Sequence, residues 1–129
     1  MSDEQYEISL DKERCIVRLI VRGELEKDLG EKIIAQARTE ASETQYNILC
    51  DVRKAKVKAG LADWFYLPRK LDIYPKTLAV KTAILITPGQ QESDYRFFET
   101  AAHNIGINIR IFLQEKDALE WLKKVMVDK

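Results

Sequence analysis

Arg14-Cys15-Ile16-Val17-Arg18-Leu19-Ile20-Val21-Arg22 is the stretch that decides the fold. Side chains alternate across a strand, so Cys15, Val17, Leu19 and Val21 share one face. Arg14, Ile16, Arg18, Ile20 and Arg22 share the other. The first face is wholly apolar and the second is mixed. A strand of this kind packs on helices on one side and stays partly wet on the other. Upstream, Tyr6-Glu7-Ile8-Ser9 alternates weakly and predicts a short edge strand. The polar turn Asp11-Lys12-Glu13 lies between them, so the chain is expected to open as an antiparallel pair.

Downstream, Gly23 is expected to break the strand, and a helix is predicted over 26–42. Leu29, Ile33, Ala37 and Ala41 recur every four residues, with Ile34 beside them. Gly30 weakens this helix by about 1 kcal/mol against Ala without erasing the pattern. The apolar runs at 46–52 and 81–87 predict buried strands. Pro88-Gly89 is a turn before a helix over 91–105, whose stripe is Tyr95, Phe98, Ala102 and Ile105. Glu92 and Asp94 suit its positive N-terminal end, and Gly106 is a good stop. In 107–113, Ile107, Ile109, Ile111 and Leu113 are expected inward. A last helix over 115–126 would bury Ala118, Leu119, Leu122, Val125 and Met126, with Trp121 at the stripe's edge.

Counting a short helix near 61–67, the order is β-β-α-β-α-β-α-β-α. Strands alternating with helices predict a single α/β domain over 1–129, with a mixed, mostly parallel sheet of about five strands. A length of 129 residues suits one core. With 46% hydrophobic and 33% charged residues, the composition excludes a disordered chain. The formal net charge of zero excludes a whole-molecule field for nucleic acid. No apolar run approaches the roughly 20 residues of a membrane span. The acidic start Met1-Ser2-Asp3-Glu4-Gln5 lacks the apolar core of a secretory signal, so a cytoplasmic location is expected. Cys15 and Cys50 both lie in apolar runs and read as buried, reduced thiols.

The stretch 53–81 departs from this background. Arg53, Lys54, Lys56, Lys58, Arg69, Lys70, Lys76 and Lys81 face only Asp63 and Asp72, a local excess of +6. In its middle lies Leu61-Ala62-Asp63-Trp64-Phe65-Tyr66-Leu67-Pro68. Pro68 ends or kinks any helix near Leu67. Consecutive rings on a helix point about 100° apart, so two turns cannot bury Trp64, Phe65 and Tyr66 on one face. The segment reads either as a connection roofing the sheet edge or as a docking surface of rings with a basic rim.

Catalytic signatures are sparse. His103 is the one histidine and reads as a surface or edge residue; neither it nor a cysteine cluster builds a metal site. Cys50 is a formal nucleophile, but inside a strand its thiol is expected to be desolvated and inert. Asp51 ends a strand and is read as hydrogen-bonding the following loop rather than as a general base. Arg14, Arg18 and Arg22 are read as a solvated face paired with acids. Thr87-Pro88-Gly89 before a helix is a weak anion signal. Walker, nucleophile-elbow and dinucleotide fingerprints are missing, so no cofactor is expected.

The element order resembles the STAS domain of anti-sigma-factor antagonists. Asn47-Ile48-Leu49-Cys50-Asp51-Val52 looks like that family's apolar strand ending in aspartate. Ile111-Phe112-Leu113 followed by Asp117-Ala118-Leu119-Glu120-Trp121-Leu122 looks like its bacterial SpoIIAA-like branch. The resemblance covers almost the whole chain and implies successive β/α turns behind an antiparallel first strand, and a regulatory binding role. In signalling members a serine at the start of the second helix is phosphorylated. Here Lys56-Val57-Lys58-Ala59-Gly60-Leu61 has no Ser or Thr, and Ala59 or Gly60 stands in that place. The resemblance therefore implies a branch without the phosphoswitch. The same fold class is related to lipid-carrying domains with an apolar ligand under a mobile helix.

Three readings follow. The first is a non-enzymatic module that engages a protein partner or a second copy through 53–76. The second is a carrier of a small apolar or anionic amphiphile beneath 60–72, with Trp64, Phe65, Tyr66 and Leu67 lining the site and Lys58 or Arg69 at the head group. Peripheral membrane contact is a lesser variant of these two. The third is an enzyme resting on Asp51 alone.

Overall fold

The computed structural model describes residues 5–58, 80–89 and 91–123. Within them the order is β1 (Tyr6–Asp11), β2 (Ile16–Glu26), α1 (Lys27–Thr44), β3 (Asn47–Lys58), β4 (Thr82–Leu85), α2 (Glu92–Asn104), β5 (Ile109–Phe112) and α3 (Glu115–Lys123). The five strands lie in the order β1-β2-β3-β4-β5. β1 runs antiparallel to β2, and β2 through β5 are parallel. The expected mixed, mostly parallel sheet is present. The short helix expected at 61–67 lies outside the described residues.

Alternation along β2 sets the layers. Val17, Leu19 and Val21 turn to one face and pack with Ile33, Ala37 and Ala41 of α1 and with Phe98 and Ala102 of α2. The opposite face was expected to be partly wet. Its central part is instead dry: Ile16, Leu49 and Ala83 are capped by Ala118 and Leu122 of α3. Small Ala83 and Ala118 let that helix approach closely, and both are fully buried.

Two expected boundaries move for one reason. β2 continues past Gly23 to Glu26, and β3 runs on to Lys58. These ends pair as a charged ribbon, with Arg22 opposite Lys54, Glu24 opposite Lys56 and Glu26 opposite Lys58. Charge hides a strand from a hydrophobic pattern, whereas cross-strand Glu–Lys pairs support it. A bulge adds to the disguise. Ile20 lies opposite Asp51 but Arg22 opposite Lys54, so β3 carries one extra residue there. The extra residue lets Val52 and Ala55, three apart, both be buried.

Two apolar residues turn outward against expectation. Cys15 is not in the strand; it closes the hairpin turn at φ +56° and is exposed. Arg14 holds that turn, its backbone N–H donating to Asp11 Oδ1 at 3.1 Å. Leu113 lies just past the end of β5, where the sheet no longer dictates its side, and is exposed.

Candidate functional site

Trp64, Phe65, Tyr66, Leu67 and Arg69 of the expected surface lie outside the described residues. Lys58 is described. It ends β3, is exposed, and its Nζ lies 3.6 Å from Glu24 Oε1 across the ribbon. Close by, Gln91 fastens β3 to the start of α2. Its amide donates to Val57 O and accepts from Val57 N–H, both at 3.0 Å, as a neighbouring strand would. Gln91 adopts φ +45° to do so.

Asp51 is held by its sequence neighbour. Arg53 donates its backbone N–H to Oδ1 at 3.1 Å, and its guanidinium grips both carboxylate oxygens at 3.0 and 2.9 Å. Burial alone would raise this carboxyl, but the Arg53 hydrogen bonds and charge outweigh it and hold Asp51 below the usual carboxylate range. Arg53 also reaches Glu115 at 3.5 Å, and Arg18 reaches the same carboxylate at 3.6 Å. The network ties the N-terminal turn of α3 to β2 and β3. The three β2-side arginines are all paired, as expected: Arg14 with Asp11, Arg18 with Glu115 and Arg22 with Glu7.

Beside Asp51, burial pushes the Cys50 thiol up to about 12, and the Asp51 charge adds to the effect. The thiol is therefore a neutral, inert wall at neutral pH. His103 is exposed on α2. No group of three His, Cys, Asp or Glu able to hold a metal occurs among the described residues. No helix among them is long and apolar enough to cross a membrane.

The sequence reading missed two buried cations. Lys81 is 2% exposed. Its Nζ donates to Trp121 O at 2.7 Å and lies 5.3 Å from the Trp121 ring centre. Asn47 completes this end of α3, donating to Leu122 O at 2.9 Å while accepting from Lys81 N–H. A cation that donates to a carbonyl of a helix is favourable on dipole grounds. Arg110 stacks on Phe112 and Trp121, each 5.5 Å away. Arg38, on α1, is 6% exposed. Its place four residues after Ile34 and next to Ala37 was the available signal.

Two cavities adjoin in the layer between the sheet, α1 and α2. The first, about 90 Å3, reaches Leu25, Gly30 and Val57 at the upper strand ends. The second, about 70 Å3, reaches Arg38, Thr82 and Ile109 at the lower ends. They share Leu19, Ile34, Cys50, Ile84 and Phe98 as a common wall.

The chain matches none of the models of known protein families, and it matches no curated protein. Among solved structures it is similar to a protein of the DUF3478 family from Shewanella loihica PV-4, described as having a SpoIIAA-like fold. The match has a TM-score of 0.62 and 19% identity, covering 95% of this chain and 98% of the other. Together with the strand order and the antiparallel first strand, this decides the architecture. The chain has the SpoIIAA-like fold. The resemblance read from the 47–52 and 111–122 motifs therefore points to the right architecture. Within the SpoIIAA-like fold, those motifs are β3 and the β5–α3 unit, the pieces that enclose the second core.

Proposed function

We propose that this chain is a non-enzymatic binding or regulatory module, working as one domain over 1–129. Its working surface is the basic, aromatic segment 53–76, and it engages a protein partner or a second copy. The supporting observation is the SpoIIAA-like architecture combined with the state of the two groups on which catalysis would rest. Asp51 is clamped by Arg53 and Cys50 is kept protonated. A base whose proton affinity is lowered and a thiol that does not ionise are poor catalysts near neutral pH.

Native mass spectrometry of the purified chain tests this. A dimer that Trp64→Ala dissociates, with little change in unfolding stability, supports self-association through that segment. Loss of several kcal/mol in unfolding with association unchanged makes Trp64 a core residue and defeats the assignment.

The carrier reading is favoured by a separate observation, the two adjoining apolar cavities. Pockets for drug-sized ligands measure roughly 300–1,000 Å3, so this space suits one short chain rather than a two-tailed lipid. Extra mass that leaves on extraction with organic solvent would support it.

A further inference from the structure

Lys27, Gly30, Ile34 and Arg38 follow one another at three- or four-residue spacing and form one stripe of α1. The first three line the upper cavity, and the last two line the lower one. The stripe is roughly 16 Å long at 1.5 Å per residue. It borders an apolar trough along the sheet, with Phe98 of α2 opposite and Gly30 leaving room where a side chain would stand.

The lower end is chemically different from the rest. Arg38 Nε and Thr82 Oγ1 are both buried without a hydrogen-bond partner. Arg38 has no ion pair among the described residues, in contrast to Arg14, Arg18, Arg22, Arg53 and Arg96, which all have one. Arg38 is largely withdrawn from water, its Nε fully so, without a counter-charge among the described residues; that is costly, and so is a hydroxyl buried without a partner. Burial lowers the Arg38 pKa, yet a guanidinium in a protein stays charged. An anion with an apolar tail would accept from both groups and suit the apolar wall beyond them.

We propose that the trough binds a short-chain monocarboxylate, with its carboxylate at Arg38 and Thr82 and its alkyl chain running past Ile34 toward Gly30. This inference rests on the carrier reading and moves the head group from Lys58 or Arg69 to Arg38. A guanidinium matches a carboxylate with two parallel hydrogen bonds, and the Thr82 hydroxyl supplies a third donor. Cys50, neutral at this depth, is a compatible wall for an alkyl chain.

The test is calorimetric titration and thermal melting of the full chain with octanoate, 1-octanol and acetate. Octanoate should bind about tenfold or more tighter than octanol, the scale of one charge-assisted hydrogen-bonded pair. Acetate should bind far more weakly, since it lacks the tail. Arg38→Met should raise the melting temperature of the ligand-free protein and abolish the preference for octanoate over octanol. Ile34→Phe, which fills the shared wall, should weaken both eight-carbon ligands alike. Equal binding of octanoate and octanol by the unaltered chain overturns the Arg38 assignment while leaving a carrier standing. Binding of neither at millimolar concentration overturns both. Ile34→Phe with undiminished affinity places the ligand elsewhere and overturns the trough.

Discussion

The two faces of the sheet handle charge in opposite ways. Beneath α3, the inward cations have partners: Arg18 and Arg53 share Glu115, Lys81 donates to Trp121 O, and Arg110 stacks on two rings. Beneath α1 and α2, the apolar layer contains two cavities and a buried arginine with no ion pair among the described residues. Cations that each hold a partner serve the fold. A face with adjoining gaps and an uncompensated cation has room and reason for something else. Substitutions of the same type should therefore have different consequences on the two sides.

The largest effect is expected under α3. Leu49 is fully buried and packs with Ile16, Ala83, Ala118 and Leu122. Leu49→Ala should cost about 3 kcal/mol or more in urea unfolding. A loss below about 1 kcal/mol would mean that this face is as loosely filled as the other.

Replacing a buried cation sharpens the comparison further. Lys81→Met removes the Nζ–H that donates to Trp121 O, at a cost of about 2 kcal/mol. Arg38→Met, without ligand, removes an unpaired buried charge and should stabilise the chain. Opposite signs for the two melts would uphold the distinction; the same sign would remove it.

Much of this frame was legible beforehand because burial writes itself into alternation. Val17, Leu19 and Val21 on β2, and Ile33, Ala37 and Ala41 on α1, fell on the faces the pattern assigned. What escaped reading was held by interactions that a hydrophobic pattern does not encode. The ribbon from Arg22 to Glu26 and from Lys54 to Lys58 is a strand pair made of charges. Cys15 is apolar but stands in a turn fixed by the Asp11 and Arg14 polar contacts. Arg38 and Lys81 look like surface cations by type; their burial follows from neighbours distant in sequence, including Thr82, Ile109 and Trp121. The site reading was the least legible part. It rested on composition in 53–76, and of its six residues only Lys58 is described, paired to Glu24.

A smaller effect probes the open side. A Cβ added at Gly30 would meet nothing nearer than Leu25 Cδ2 at 3.7 Å, ordinary contact distance. Gly30→Ala therefore gains helix propensity without a clash, about 1 kcal/mol of stability. Destabilisation would show that α1 sits closer to the sheet than the upper cavity implies.

The smallest effect tests whether the Asp51 clamp belongs with the packed face. The Asp51 carboxyl has a lower pKa folded than its ordinary 3.8, so the folded state binds fewer protons near that value. Its contribution is therefore fully present above about pH 5 and is lost as pH falls through 3.8 and then through the lower folded value. Arg53 is partly exposed, with 39% of its side chain open to water, so solvent screens the pair and limits its worth to roughly 0.5–1 kcal/mol. Asp51→Asn should lose that amount at pH 7 and converge with the unaltered chain as pH falls below the depressed folded value, in matched urea melts across the range. A constant deficit at every pH would assign the loss to packing or to the amide's own hydrogen bonding. A deficit that grows in acid would contradict the depressed pKa and, with it, the view that Arg53 withdraws Asp51 from proton-transfer chemistry.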